Sequence, residues 1–182
     1  MRAYTLGYGG VKPERFLEIV GRLGCRVVVD VRRFPRSSVS FYTGENLRAE
    51  LERIGVSYIW LGELGALGLS KRYRIAEPVT CTSSPTFQSY VVYLTTEPQA
   101  LRALSLIRGM AVEGLAPLII CREGKPEYCH RQFIADALTA MNVEVVHIIG
   151  EKSVKHTGSP CYSYVAAKLA SSVYMKNTST SA

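Results

Sequence analysis

The chain has no window of about 18 uninterrupted apolar residues, so no membrane-spanning helix is expected. Its opening residues, Met1-Arg2-Ala3-Tyr4-Thr5-Leu6-Gly7, lack the long apolar core of a secretory signal, and a cytoplasmic protein is the expectation. No Lys/Arg run exceeds three residues, so no basic tail stands out as a nucleic-acid arm. Internal repeats are absent, and no linker separates two folded halves. The five cysteines, Cys25, Cys81, Cys121, Cys129 and Cys161, contain no CxxC pair. An odd count without a secretion signal argues against a secreted disulfide scaffold, although one internal bridge stays open.

What is present is ordinary for one globular domain. The 182 residues are 47 % hydrophobic and 20 % charged, enough for a real core. The net charge of +7, from 22 basic and 15 acidic residues, suits a nucleotide or nucleic-acid partner as well as it suits a plain solvated basic surface.

Strand and helix signals alternate along the chain. Ala3 to Leu6 reads as a first strand, and Pro13 opens a helix with Phe16, Ile19, Val20 and Leu23 on one face. Arg26 to Val31 is a continuous β-branched run, as in a strand covered on both sides. A helix from about Asn46, a strand from Ser57 to Leu61, and an irregular stretch over 66–86 follow. Phe87, Tyr90 and Tyr93 recur at threes and predict a helix whose aromatic stripe is core. Pro98 opens another helix. Ala116 to Cys121 is a short buried strand, residues 129–141 form a helix, and Val143 to Ile149 is the last strand. This pattern predicts a single α/β domain, with a mainly parallel open sheet of about five strands flanked by helices. The domain is expected to span 1–165, with 166–182 as a C-terminal extension, Ser/Thr-rich and frayed from about Ser171.

Open parallel sheets place their sites outside the carboxyl ends of the strands. Those ends carry Gly7-Tyr8-Gly9, Asp30-Val31-Arg32, Gly62-Glu63-Leu64 and Cys121-Arg122-Glu123, so four polar loops converge on one edge. The segment Cys121 to Arg131 begins at a strand end and closes at a helix start, where exposed N–H groups attract anions and lower a thiol pKa. Cys129 is therefore a candidate nucleophile, with Asp30 and Glu123 as candidate acid or base. Tyr8, Arg32, Glu63, Cys121, His130 and Arg131 are candidate substrate or anion contacts, Arg131 and Arg32 through their guanidinium groups. The bland alternatives are a packed thiol at Cys129 and a structural pair, Asp30–Arg131 or Asp30–Arg32. A rhodanese- or phosphatase-like loop is disfavoured, because the arginine expected six residues after Cys121 is Glu127. Cys121, Glu123, Cys129 and His130 are metal-ligand types. Their spacing is not that of a knuckle, and adjacent Cys129 and His130 would diverge on a helix, so no metal ligand is expected. His147 reads as a core histidine, and His156 carries little information.

Several segments together resemble the domain-of-unknown-function 488 family. They are Thr5-Leu6-Gly7-Tyr8-Gly9, Val29-Asp30-Val31-Arg32 with Pro35 and Ser37, Glu63-Leu64-Gly65, and Phe87-x-x-Tyr90-x-x-Tyr93-Leu94. Cys121-x-Glu123 with Cys129-His130-Arg131, and Val146-His147-Ile148, complete the set. The Cys-x-Glu…Cys-His-Arg element is the specific one. Family members commonly read Gly-His-Ser where this chain has Gly7-Tyr8-Gly9, which weakens any general-base role at the first loop. The resemblance locates a site and implies no named reaction. The expectation is an enzyme acting on a phosphorylated, nucleotide or nucleic-acid substrate. The alternatives are a non-catalytic nucleic-acid-binding module and a metal- or thiol-based sensor. The sequence names no cofactor and fixes no oligomeric state.

Overall fold

The computed structural model describes the backbone of residues 1–178 and the side chains of residues 1–171. In chain order the elements are β1 (Arg2–Gly7), α1 (Pro13–Arg22), β2 (Val27–Asp30), α2 (Gly44–Arg53), β3 (Ser57–Trp60), α3 (Leu69–Arg72) and α4 (Pro85–Thr96). Then come α5 (Pro98–Val112), β4 (Leu118–Cys121), α6 (Arg131–Ala140), β5 (Glu144–Ile149), β6 (Lys152–Lys155) and α7 (Tyr162–Thr178). Prolines open α1, α4 and α5, where a missing N–H costs nothing. The Ser84 hydroxyl caps α4 by accepting from the Phe87 N–H at 3.4 Å.

The sheet has six strands in the order β3-β2-β4-β1-β5-β6, parallel throughout except for β6. The α/β fold is as expected; the sixth strand is not. β6 carries Lys-Ser-Val-Lys with every side chain exposed, so it has no apolar signature to read. A tight turn through Gly150, at φ +59°, folds it back onto β5.

Helices cover both faces. α1 and α2 press Phe16, Ile19, Val20, Leu47 and Leu51 onto Leu6, Val28, Ile120 and Ile148. α4, α5, α6 and α7 cover the opposite face, where Ala3, Val27, Val29, Ile119 and Val145 lie. α7 runs to Thr178 and buries Val165 and Leu169. The expected extension from residue 166 thus begins inside this helix, and residues 179–182 lie outside the described residues.

A disulfide joins Cys81 to Cys161 across 80 residues of sequence, tying the irregular 66–86 stretch to the start of α7. By chain entropy, a loop of that size is worth on the order of 4 kcal/mol. No helix of the described residues is long and apolar enough to cross a membrane.

The connections fix where a site can form. α1 leaves β1 on one face of the sheet, and α6 leaves β4 on the other. β1 and β4 are neighbours, with Gly7 opposite Cys121. Their carboxyl-end loops therefore part to opposite faces and open a crevice between them.

Candidate functional site

The loops after β1 and β4 touch at the base of this crevice. Tyr8 N–H donates to Cys121 O at 3.0 Å, and Gly9 N–H to Arg122 O at 2.8 Å. A Cβ on Gly7 would lie 1.8 Å from Glu123 O, so only glycine permits the approach. Above this base lies a cleft of about 530 Å³. Its walls come from Tyr8, the Arg32–Arg36 loop, residues 66–68, Thr86 and Phe87; its floor is formed by Cys121, Glu123, Cys129 and His130.

The floor depends on a short piece of local geometry. A 3-10 turn over Pro126–Tyr128 ends at Cys129, which is extended (φ −129°, ψ 144°). His130 is the N-cap of α6, and the helix proper starts at Arg131. The expected divergence of Cys129 and His130 assumed a helix from residue 129; that is corrected, because neither residue lies inside the helix. The His130 Nε2–H donates to Val31 O at 3.2 Å. That bond turns Nδ1 toward the two sulfurs, 3.7 Å from Cys129 Sγ and 3.9 Å from Cys121 Sγ. Both sulfurs also meet the Glu123 Oε2, at 2.9 Å from Cys121 and 3.4 Å from Cys129.

The two thiols sit in opposed environments. The Cys121 proton has two acceptors, the Cys129 sulfur and the Glu123 carboxylate. With burial these push its pKa far above the ordinary thiol range. At Cys129 burial also acts upward, but the Cys121 hydrogen bond, His130 and the Arg131 cation outweigh it and bring the pKa well below that range. The Arg131 Nε–H donates to Cys129 Sγ at 3.3 Å. The lowered thiol is thus explained by side chains rather than by a helix starting at Cys129. Cys25, remote from these groups, shows burial acting alone, which pushes it up to about 12.

Arg131 is 1 % exposed and has no carboxylate partner among the described residues. Its other donors go to the carbonyls of Glu123 and Gly124 and, at 3.2 Å, to Thr5 Oγ1. From Thr5 a buried chain continues to His147 Nδ1 at 2.7 Å, then from His147 to His156 at 2.9 Å, and from His156 to Asp136 at 2.8 Å. Ser159 closes it by donating its N–H and hydroxyl to Asp136. His147 has its pKa lowered to about 4 by burial first, then by His156 and Arg131. The sequence reading missed this chain. One signal was available: Asp136 lies among Phe133, Ile134 and Ala137 on the buried side of α6, where an acid needs a partner.

Asp30 is fully buried and pairs with Arg32, whose Nε lies 2.8 and 3.0 Å from its two oxygens. Tyr58 donates to the same carboxylate at 2.7 Å. The rest of the Arg32 guanidinium meets Tyr8 OH at 2.6 Å and Tyr42 O at 2.9 Å. Tyr8 stacks on Tyr42 with ring centroids 4.2 Å apart. Of the two pairings weighed for Asp30, the one with Arg32 forms and the one with Arg131 does not.

The structure therefore brings Tyr8, Arg32, Cys121, Glu123, Cys129 and His130 to one cleft, puts Arg131 behind its floor, and seals Asp30 beneath its wall. Glu63 is not part of the lining; its carbonyl accepts from Tyr93 OH at 2.9 Å. In the aromatic stripe Tyr90 and Tyr93 are core, while half-buried Phe87 reaches the cleft wall.

The family described as "Domain of unknown function DUF488" matches residues 12–138. No curated protein and no solved structure matches. The chain belongs to the DUF488 family, and its matched region holds the whole floor of the cleft.

Proposed function

We propose that the chain is an enzyme acting on a nucleotide or nucleic-acid phosphate held in the cleft at the carboxyl edge of the sheet. The observation that carries this reading is the rim. Arg33, Arg36 and Arg122 line the cleft, and none forms a salt bridge among the described residues. Phe34 is 53 % exposed, and the guanidinium carbons of Arg33 and Arg36 each lie 5.9 Å from its ring centroid. Tyr128, 72 % exposed, stands on the wall with the floor residues.

Unpaired arginines beside exposed rings suit a ligand with phosphates and a flat base. A volume of about 530 Å³ accepts a nucleotide-sized group. Arg32 and Arg131, by contrast, use their donors inside the protein, so anion binding falls to the rim arginines. The groups able to do chemistry are those of the floor, with Glu123 the exposed one among them.

Binding of a short fluorescent single-stranded oligonucleotide and of a mononucleotide, followed against salt, tests the reading. Affinity is expected to fall with salt, and each rim Arg→Ala should lessen the log–log slope by about 0.7 for each lost phosphate contact. Glu123→Gln should slow turnover of the bound ligand and leave affinity intact. Absence of binding, or binding indifferent to the rim arginines, would overturn the proposal. Binding without turnover by the unaltered chain would replace the enzyme with a non-catalytic module.

A further inference from the structure

We infer that Cys121, Glu123, Cys129 and His130 form a binding site for one divalent metal ion, zinc by its donor set, at the floor of the cleft. The ligand atoms of these residues all lie within 4.8 Å of one another. A tetrahedral zinc with bonds of about 2.0–2.3 Å holds its donors roughly 3.3–3.8 Å apart. The sulfur–nitrogen separations are 3.7 and 3.9 Å, and the sulfur–oxygen separations 2.9 and 3.4 Å. With every separation at or below 4.8 Å, shifts of up to about an ångström bring the set to that geometry. Two thiolates, an imidazole and a carboxylate favour zinc over the harder magnesium or calcium, which prefer oxygen.

Two further observations point to an ion rather than to a chance cluster. The first is the orientation of His130. Its Nε2–H is held by the Val31 carbonyl, which orients the ring so that Nδ1 is the nitrogen facing both sulfurs. Backbone carbonyls do this for metal-bound histidines generally. The second is Arg131. A guanidinium that is 1 % exposed and without a carboxylate needs a nearby negative charge, and its Nε–H points at Cys129 Sγ. Two thiolates and the Glu123 carboxylate carry three negative charges; a divalent ion and Arg131 balance them.

The site is of the open kind. Cys121, Cys129 and His130 are buried, whereas Glu123 is exposed on the cleft side. Three fixed ligands and one replaceable carboxylate describe a catalytic rather than a structural zinc. Displacement of Glu123 would free a position facing the rim arginines, where the ion acts as a Lewis acid toward a ligand oxygen. The metal centre and the arginine rim are separate observations on one cleft, so metal uptake is read without substrate and one can fail while the other stands.

The test uses the full chain, stripped with a chelator under reducing conditions and refilled with cobalt(II) or zinc(II) alone. Cobalt should give thiolate-to-metal charge-transfer absorption with tetrahedral ligand-field bands, and zinc should displace it stoichiometrically. Zinc should protect Cys121 and Cys129 from alkylation, mapped by mass spectrometry, without changing Cys25. Cys129→Ser should abolish the charge-transfer band or shrink it sharply. Glu123→Gln should keep the band and bind more weakly. Arg131→Lys should weaken zinc by about 10–100-fold, the usual cost of a lost outer-shell partner. No uptake of either ion by the unaltered chain, or alkylation of both thiols at the same rate with and without zinc, would overturn the inference. The protection measurement decides the matter if a cysteine variant does not fold.

Discussion

Arg32 and Arg131 are both buried arginines at the carboxyl edge of the same sheet, and they are held in opposite ways. Arg32 lies against the fully buried carboxylate of Asp30, its remaining donors meeting Tyr8, Tyr42 and Arg36. Its charge is cancelled within hydrogen-bonding distance, so the knot is closed and architectural. Arg131 has only carbonyls, a hydroxyl and a sulfur around it. Its charge is left to act on the floor of the cleft. Full pairing marks structure; a buried cation lacking its acid marks a place where negative charge is meant to sit.

The largest effect should come from breaking the closed knot. Asp30→Asn leaves Arg32 buried without a counter-ion, and about 3–5 kcal/mol of stability should be lost in denaturant unfolding. Adding Arg32→Met should recover part of that loss, because the pair then disappears together. A loss under about 1 kcal/mol for Asp30→Asn would mean that the two arginines do not differ as described.

Next comes pH, which acts on the Arg131 side through His147. His147, held through Thr5 behind Arg131, has a pKa of about 4, below its ordinary value of 6.5. It is neutral in the fold, facing His156, Arg131 and Asp136, while the unfolded chain takes up a proton below about 6.5. Its contribution is therefore complete above pH 6.5 and is lost as pH falls toward 4, by up to about 3 kcal/mol. A His147→Gln chain should show a flatter pH profile in that window, measured by urea unfolding. An unchanged profile would uncouple His147 from acid sensitivity.

Arg131→Met should cost less, about 2 kcal/mol, since it removes hydrogen bonds without stranding a buried carboxylate, and the Cys129 sulfur it leaves behind can take up a proton. No second substitution of a carboxylate should restore it, in contrast to Asp30 and Arg32. A loss equal to that of Asp30→Asn would make the two sites equivalent.

How much of this was legible can be judged from the same residues. Val27 to Val29 and Leu118 to Ile120 announce buried parallel strands, and the convergence of their polar ends follows from the topology. That is why the Cys121–Arg131 segment could be placed at the carboxyl edge of the sheet. β6 was invisible, because exposed Lys-Ser-Val-Lys has no apolar alternation. With it went the link from His147 to His156, which depends on β5 pairing with β6. Cysteine count left a bridge open, but spacing does not reveal that Cys81 meets Cys161. The ligand-like convergence on the floor turned on a two-residue error in where α6 begins. On a helix from residue 129 the side chains of Cys129 and His130 would part; in the extended geometry at Cys129 they converge on Cys121 and Glu123.

The smallest stability effect should come from the rim, and it is the sharpest discriminator. Arg36 is exposed, forms no salt bridge among the described residues, and rests on Phe34, itself half out of the protein. Nothing in the fold depends on its charge, so Arg36→Ala should shift stability by no more than about 0.5 kcal/mol. Its field does reach the cleft, and the same substitution should weaken oligonucleotide binding while flattening its salt dependence. The three arginines would then sort by use: Arg32 needed for folding, Arg131 for the charge of the floor, Arg36 for the ligand. If Arg36→Ala left binding and its salt slope untouched, the rim would be only a solvated basic surface, and the floor alone would remain as a functional feature.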